Sequence, residues 1–342
     1  MIEIAIVGAG PAGAYCASSL TREGFRPVLF DHSHPREKPC GGGLSPFAQD
    51  EFPFLKNLPF IHEETNYVQV VCMQNKRLDI ALNRTVIISS RRRLDEYILE
   101  MAVSNGAQLK TEKVISVKKC PDCWKVKTNR GVYNAKILIG AEGVHSIVRK
   151  ATIGAFQPSD VAVCYGYLAK PVKGQPIVFR FIPERRGYIW VLPRGDDLCV
   201  GIAADITRNL GMKTELDRFL KVHCPRLEPK SQWAALIPNL RSQTLRRRVA
   251  GSNWMLIGDA AGHVDQITGE GIPYALRSAE LCSQAISQNN LQLYDSSWRE
   301  EYGTYLSYSA KLRNLLFNRY ICTPYFALGF LISGRLIRAH AC

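Results

Sequence analysis

The residues Gly8-Ala9-Gly10-Pro11-Ala12-Gly13 stand between an apolar run, Ile2 to Val7, and an Ala/Ser/Leu-rich stretch ending at Arg22. An apolar run of that length reads as a buried parallel strand, and the stretch after the glycines reads as a helix. A second apolar segment, Pro27 to Phe30, follows and ends in Asp31, completing a βαβ opening in about thirty residues. In such a turn the first glycine allows the sharp bend, the second lets backbone approach a ligand, and the third lets helix and strand pack closely. The helix then offers free N–H groups and a positive dipole end to an anion. Gly8, Gly10, Pro11, Ala12 and Gly13 are therefore candidates for holding a pyrophosphate, and Asp31 for a ribose hydroxyl.

Two further strand patterns run into glycines. Lys136 to Ile139 leads to Gly140-Ala141-Glu142-Gly143, and Trp254 to Ile257 leads to Gly258-Asp259-Ala260-Ala261-Gly262. A helix is expected from Arg91 to Asn105 and another from Ile272 to Gln288. Residues 65–90 alternate polar and apolar, and segments at 177–182, 187–192 and 198–203 have the same character, so an antiparallel sheet is expected there. Residues 32–60 are rich in Pro and Gly and read as loops around a site. At 342 residues the chain exceeds one usual core, and two interlocked domains are the natural organisation.

Lys and Arg outnumber Asp and Glu by 44 to 30, a net charge of +14 that favours anionic partners: a pyrophosphate, a phosphorylated substrate, an acidic protein or a lipid surface. The clusters Arg91–Arg93 and Arg246–Arg248 lack interleaved aromatics, so nucleic acid is not expected as a partner. No signal-peptide pattern precedes Ile2, and a cytoplasmic location is expected, with peripheral membrane attachment as a further option. The eleven cysteines are mostly single and read as reduced core residues. The one pair, Cys120-Pro121-Asp122-Cys123, has no second C-x-x-C to complete a zinc site and reads first as a hairpin turn; no metal is expected.

Three ordered glycine turns resemble the flavoprotein superfamily with the p-hydroxybenzoate hydroxylase type of fold. Gly140 to Arg149 is similar to its Gly-Ala-Asp-Gly-x-x-Ser-x-Val-Arg motif, with Glu142 in place of Asp, and Gly258 to Gly262 matches its Gly-Asp-Ala-Ala-Gly motif. Within that superfamily the chain resembles the geranylgeranyl reductase family in four stretches: Lys38-Pro39-Cys40-Gly41-Gly42-Gly43-Leu44-Ser45, Tyr188-Ile189-Trp190-Val191-Leu192-Pro193, Cys199 to Ile202, and Asp265 to Ile272.

The resemblance implies an α/β fold, with a Rossmann-type FAD-binding domain (residues 1–62, 84–158 and 246–292) and an interleaved antiparallel-sheet substrate domain (63–83 and 159–245), followed by a helical segment (293–342). FAD is the implied cofactor. Its contacts would be the opening turn, Asp31, Gly41, Gly42, Gly43, Leu44, Arg93, Val114, Ala141, Glu142, Gly143, Gly258, Asp259, Gly269, Gly271 and Ile272. Glycines at 269 and 271 before a helix can present N–H groups to a flavin carbonyl, and Gly41 to Gly43 would leave one flavin face bare.

Cys40, Tyr188 and Trp190 are the catalytic candidates. Cys40 is implied beside the flavin as proton donor or substrate gate. Tyr188 and Trp190, two apart on a strand, point to one side and can either wall an apolar pocket or pack a sheet. His145 and His263, inside the second and third motifs, read as lining residues. The implied activity is reduction of C=C bonds in a geranylgeranyl-type lipid or prenyl quinone, with NAD(P)H or ferredoxin as external electron donor. The alternatives are an aromatic or polyketide monooxygenase or halogenase, and a flavin-free prenyl-binding escort. The apolar segment Tyr320 to Ile337, broken by Pro324, Gly329 and Gly334, reads as an interfacial or docking helix, with Arg313, Arg319, Arg335 and Arg338 available to anionic headgroups.

Overall fold

A computed structural model describes residues 1–71 and 77–317. Tyr320 to Ile337, with Arg319, Arg335 and Arg338, lies outside the described residues. Internal contacts divide the chain into two units: residues 1–36, 92–160 and 240–308, and residues 37–91, 161–239 and 309 onward.

The first unit is built on a seven-stranded sheet. Ile2–Val7 pairs in parallel with Val28–Phe30 on one side and Val132–Gly140 on the other, and Trp254–Leu256 pairs in parallel with Val132–Gly140. The register sets Val7 opposite both Phe30 and Gly140, and Gly140 opposite Leu256, so all four strands end at one edge. Their interiors are apolar because helices such as Pro11–Arg22 and Ile272–Ser287 cover the sheet. Antiparallel Trp124–Thr128 and Val114–Lys119 complete a meander beside Val132–Gly140. Cys120 and Cys123 form its hairpin turn, with the Cys120 N–H donating to the Cys123 carbonyl at 2.8 Å.

The second unit carries an eight-stranded sheet whose strands run, from one edge, Pro229–Pro238, Val161–Ala169, Leu198–Asp205, Gly187–Pro193, Ile177–Ile182, His62–Val71, Arg77–Ser89 and Gly43–Leu44. One face, with Ile189, Val191, Val200 and Ile202, is sealed by Met212, Leu216, Phe219 and Leu220 of the helix Met212–His223. Each such buried side chain contributes about 1.5–3 kcal/mol of transfer free energy. The opposite face is aromatic, and one rung explains its shape. Phe179, Trp190, Gly201, Gly166 and Trp233 are successive register partners across five strands. The two glycines leave a floor on which the Trp190 and Trp233 rings lie stacked, centroids 5.9 Å apart. A Cβ on Gly201 would come within 2.3 Å of the Trp190 ring, and one on Gly166 within 2.1 Å of the Val200 carbonyl oxygen.

The boundaries differ from those expected at 62/63 and 83/84, and the reason is strand pairing. Gly43 and Leu44 pair with Ile88 and Ile87, which binds the cysteine-glycine loop to the second unit's sheet. Residues 293–308 join the first unit, where the Tyr294 hydroxyl donates to the Leu256 carbonyl at 2.8 Å. Arg313 faces inward rather than toward headgroups: it donates to Asp205 Oδ1 at 2.6 Å and to the Arg186 carbonyl at 2.8 Å. Among the described residues no helix is long and apolar enough to cross a membrane.

Because the Val200 backbone cannot yield as a side-chain tip would, Gly166→Ala should destabilise the second unit by about 3 kcal/mol or more. Urea unfolding followed by tryptophan fluorescence reads this directly, and a change below about 0.5 kcal/mol would remove the glycine-floor account.

Candidate functional site

The three glycine turns meet at the common strand edge of the first unit. At Gly8 the backbone has φ +96°, and a Cβ there would lie 2.6 Å from the Ala141 carbonyl oxygen, so the first and second turns touch backbone to backbone. A Cβ on Gly13 would lie 1.9 Å from the Gly8 carbonyl oxygen. Gly258 wedges between helices: its Cβ would meet Ala12 Cβ at 2.9 Å and Ala275 Cβ at 3.3 Å. Arg149, the last residue of the second motif, is buried and donates from Nη1 to the Ala260 carbonyl at 3.0 Å, tying the second turn to the third.

Both flanking helices begin without a side-chain cap. Pro11–Arg22 starts from Gly10 and Ile272–Ser287 from Gly271, each with Pro in the first turn and no capping hydrogen bond. Their leading N–H groups are left for a ligand, and their dipoles favour an anionic one. The chain leaves room where the dinucleotide reading needs it: the nearest atom to a Cβ on Gly10 would be the His34 ring at 3.5 Å. Asp259 lies in the 3-10 turn Gly258–Ala260, and a Cβ on Gly271 would sit 3.2 Å from its Oδ1, so the bare backbone at 271 admits this carboxylate. Gly269, at φ +72°, donates its N–H to the Asp265 carbonyl at 2.9 Å, while Asp265 Oδ1 accepts from Ile267 N at 2.8 Å.

Two acids have occupations that the motifs did not indicate. Asp31 accepts from Ala9 N at 2.9 Å, Ser33 N at 2.7 Å and His34 N at 3.0 Å, and its Oδ2 lies 2.7 Å from His34 Nδ1. Burial opposes its charge, but the His34 hydrogen bond and charge, with the N–H groups of Ala9 and Ser33, hold its carboxyl below the usual range. His34 is set between two carboxylates, with Nε2 3.5 Å from Asp95 Oδ2. Burial disfavours its charged form, yet Asp31 and Asp95 outweigh that and raise its pKa. Glu142 accepts from Ser146 Oγ at 2.5 Å, Ile147 N at 3.0 Å and Val148 N at 3.1 Å, so its longer arm caps the helix Ile147–Thr152.

Arg93 stands in the first turn of the helix Arg91–Ser104, two residues before buried Asp95. Val114 is buried at the start of the outer meander strand, with two strands between it and Ile2–Val7. Pro11 and Ala12 form the first turn of their helix, and Ala141 and Gly143 flank Glu142 at the strand edge. The exposed His145 ends a 3-10 turn. His34, Arg149 and Tyr305, which donates to Asp265 Oδ2, were not singled out by the sequence.

In the second unit the cysteine-glycine loop is held on the aromatic face. The Cys199 thiol donates to the Cys40 carbonyl at 3.3 Å, and Gly42 N donates to Cys40 Sγ at 3.4 Å. The three glycines differ. A Cβ on Gly41 would meet Leu192 Cδ1 at 2.4 Å, one on Gly42 (φ +79°) would meet the Ser89 carbonyl oxygen at 1.9 Å, and one on Gly43 would meet nothing within 4 Å. Gly41 and Gly42 are thus fitted closely to the sheet, Gly43 faces open space and Leu44 is buried. Tyr188 and Trp190 do share a face, ring centroids 5.7 Å apart; Trp190 is buried in the rung and Tyr188 is half-buried beside Phe179. Burial pushes the thiols of Cys164 and Cys199 up to about 12, so both stay protonated, whereas Cys40 is half-buried.

Residues 6–54 match the family described as the NAD(P)-binding Rossmann-like domain. The chain is 27% identical to a menaquinone reductase of Mycolicibacterium smegmatis over 349 residues, 92% of this chain and 84% of that protein. It is 28% identical to a geranylgeranyl diphosphate reductase of Synechocystis over 360 residues, 90% of this chain and 83% of that protein. The chain is thus similar, at 27–28% identity over most of its length, to reductases named for menaquinone and geranylgeranyl diphosphate. A solved structure of a geranylgeranyl bacteriochlorophyll reductase-like protein from Thermoplasma acidophilum superposes with a TM-score of 0.81 at 20% identity, covering 96% of this chain and 90% of that one. The fold is the mixed α/β type with a Rossmann-like domain seen in the p-hydroxybenzoate hydroxylase group.

His263, beside the third turn, is fully buried against Trp298, with ring centroids 4.4 Å apart, and its Nδ1 lies 2.9 Å from the Tyr302 hydroxyl. Burial, with Arg299 and Arg149 adding to it, pushes its pKa down to about 3, which suits a lining residue and not a general base. The unfolded chain takes up this proton near 6.5 and the folded protein does not, so stability is intact above pH 6.5 and falls progressively below it. His263→Gln should therefore flatten the loss of stability between pH 7 and pH 5 by about 2 kcal/mol in urea titrations. Parallel pH profiles for the two proteins would contradict a neutral buried imidazole.

Proposed function

We propose that this chain is an FAD-dependent reductase of prenyl lipids or prenyl quinones. The observation that carries the cofactor reading is the pair of uncapped helix N-termini beside the Gly8 turn in the first unit. Those N–H groups and the room at Gly10 fit a pyrophosphate; Asp259 fits a hydroxylated chain as acceptor, and the N–H groups around Gly271 and Ile272 fit a ring carbonyl. Bound FAD, once reduced by an external donor such as NAD(P)H or ferredoxin, would supply a hydride to the substrate.

The second unit's residues do the rest. Its aromatic face excludes water and takes an apolar chain, with half-buried Tyr188 as its polar-tipped wall. Within this unit Gly43 presents backbone without a side chain, and Cys40 beside it is the candidate proton donor. The relatives named for menaquinone and geranylgeranyl diphosphate support this substrate class. The net charge of +14 suits substrates presented at an anionic membrane surface.

Reduced protein mixed anaerobically with geranylgeranyl lipids and with prenyl quinones should lose its reduced-flavin absorbance. Products should gain mass in steps of two hydrogens. Substrate-dependent oxygen uptake with incorporation of oxygen into product would instead mark a monooxygenase, and a colourless protein that takes up no FAD would end the flavoprotein reading.

Gly43→Val places a branched side chain in open space, so it should leave the melting temperature within a few degrees while lowering bound flavin at least tenfold. Full flavin content in a folded Gly43→Val protein would show that no ring lies against this backbone.

A further inference from the structure

Arg194 follows the last residue of the aromatic strand Gly187–Pro193, and no part of its side chain reaches solvent. Its guanidinium is gripped by two carboxylates: Nε donates to Asp197 Oδ1 at 2.6 Å, Nη2 to Asp197 Oδ2 at 2.7 Å, and Nη1 to Glu37 Oε1 at 2.6 Å. Glu37 is anchored from its other oxygen, Oε2, by the Ser90 hydroxyl at 3.0 Å. The Arg194 stem also runs beside the loop, since a Cβ added to Gly42 would lie 3.3 Å from its Cδ. Arg194 thus grips the Cys40 loop at two points, Glu37 before the thiol and Gly42 after it. Cys199, on the next strand, holds the carbonyl of Cys40 itself.

Burying a guanidinium between carboxylates is a costly way to stabilise a fold, because apolar residues of the same volume often do as well or better. What the planar fork supplies is geometry: a bidentate pair fixes direction as well as distance. Here it adds a side-chain hold to a loop that the sheet pins by backbone at Gly42, Gly43 and Leu44 and by the Cys199 thiol at Cys40.

We propose that Arg194 is the positioning residue of the Cys40 loop, holding the thiol and the open backbone at Gly43 in one geometry through Glu37 and Gly42. The catalytic part of this inference rests on the reductase reading above, whereas the clamp itself does not.

The test uses the full-length protein and the variants Arg194→Lys, Arg194→Met and Glu37→Gln. Iodoacetamide labelling of Cys40, read by peptide mass spectrometry and normalised to Cys120 in the same molecule, should accelerate at least tenfold in Arg194→Met and Glu37→Gln. Arg194→Lys, which keeps charge but not the fork, should fall between these and the parent. With a substrate in hand, kcat should drop tenfold or more while KM changes less than threefold. Glu37→Gln retains the Arg194–Asp197 pair, so it carries the test should Arg194→Met fail to fold. Folded variants with unchanged labelling ratio would overturn the clamp. If labelling accelerates but the parent protein reduces no prenyl compound, the clamp stands and the reductase reading falls.

Discussion

The first unit depends on backbone meeting backbone at the C-terminal edge of its parallel strands. Gly8 packs against the Ala141 peptide, Gly13 against the Gly8 carbonyl, and Gly258 against Ala12 and Ala275 of two helices. Each contact is closer than a Cβ permits, so the three turns can share one edge only with glycine at these positions. The packing also determines what the edge can bind. The helices beginning at Pro11 and Ile272 have glycine at their N-caps, so no capping side chain takes their first N–H groups.

The second unit uses the same device on a sheet face. Gly166 and Gly201, partners on adjacent strands, lower the floor so that Trp190 and Trp233 lie flat rather than upright. Upright indoles would have pushed apart the strands' covering and denied the Cys40 loop its seat on Leu192 and Trp190. With the other face sealed by Met212, Leu216, Phe219 and Leu220, the sheet has one purely structural side and one side carrying aromatics, thiols and the loop. Alternation of two residues along each strand keeps these roles separate.

Local patterns were legible and long-range pairings were not. Ile2–Val7 and Ile177–Ile182 were read with the bounds they have, and Arg91–Ser104 and Ile272–Ser287 within a residue, because their apolar spacing and flanking glycines act over a few positions. The helix Met212–His223 was overlooked although Met212, Leu216, Phe219 and Leu220 carry helical spacing, and the edge strand Pro229–Pro238 is too weakly patterned to stand out. Arg194 and Glu37 are 157 positions apart, and nothing near either residue signals the other. His34 was hidden for a different reason: in a loop rich in turn residues, only the fold reveals that Asp31 and Asp95 converge on it.

The motif acids show why a matched motif and a ligand contact are separate claims. An ionised carboxylate has about four acceptor sites, and Asp31 gives its own to Ala9, Ser33 and His34 while Glu142 gives its own to Ser146, Ile147 and Val148. Both therefore act first as covalently tethered acceptors that hold a turn in shape. An aspartate at 142 would be one methylene shorter, so reaching the N–H groups of Ile147 and Val148 is the gain that its replacement by glutamate brings. Asp259 differs in kind, because the absence of a side chain at Gly271 lets its carboxylate lie against that backbone. Asp259 lies in its own 3-10 turn, and the helix beginning at Ile272 starts from Gly271 beside it without a capping side chain.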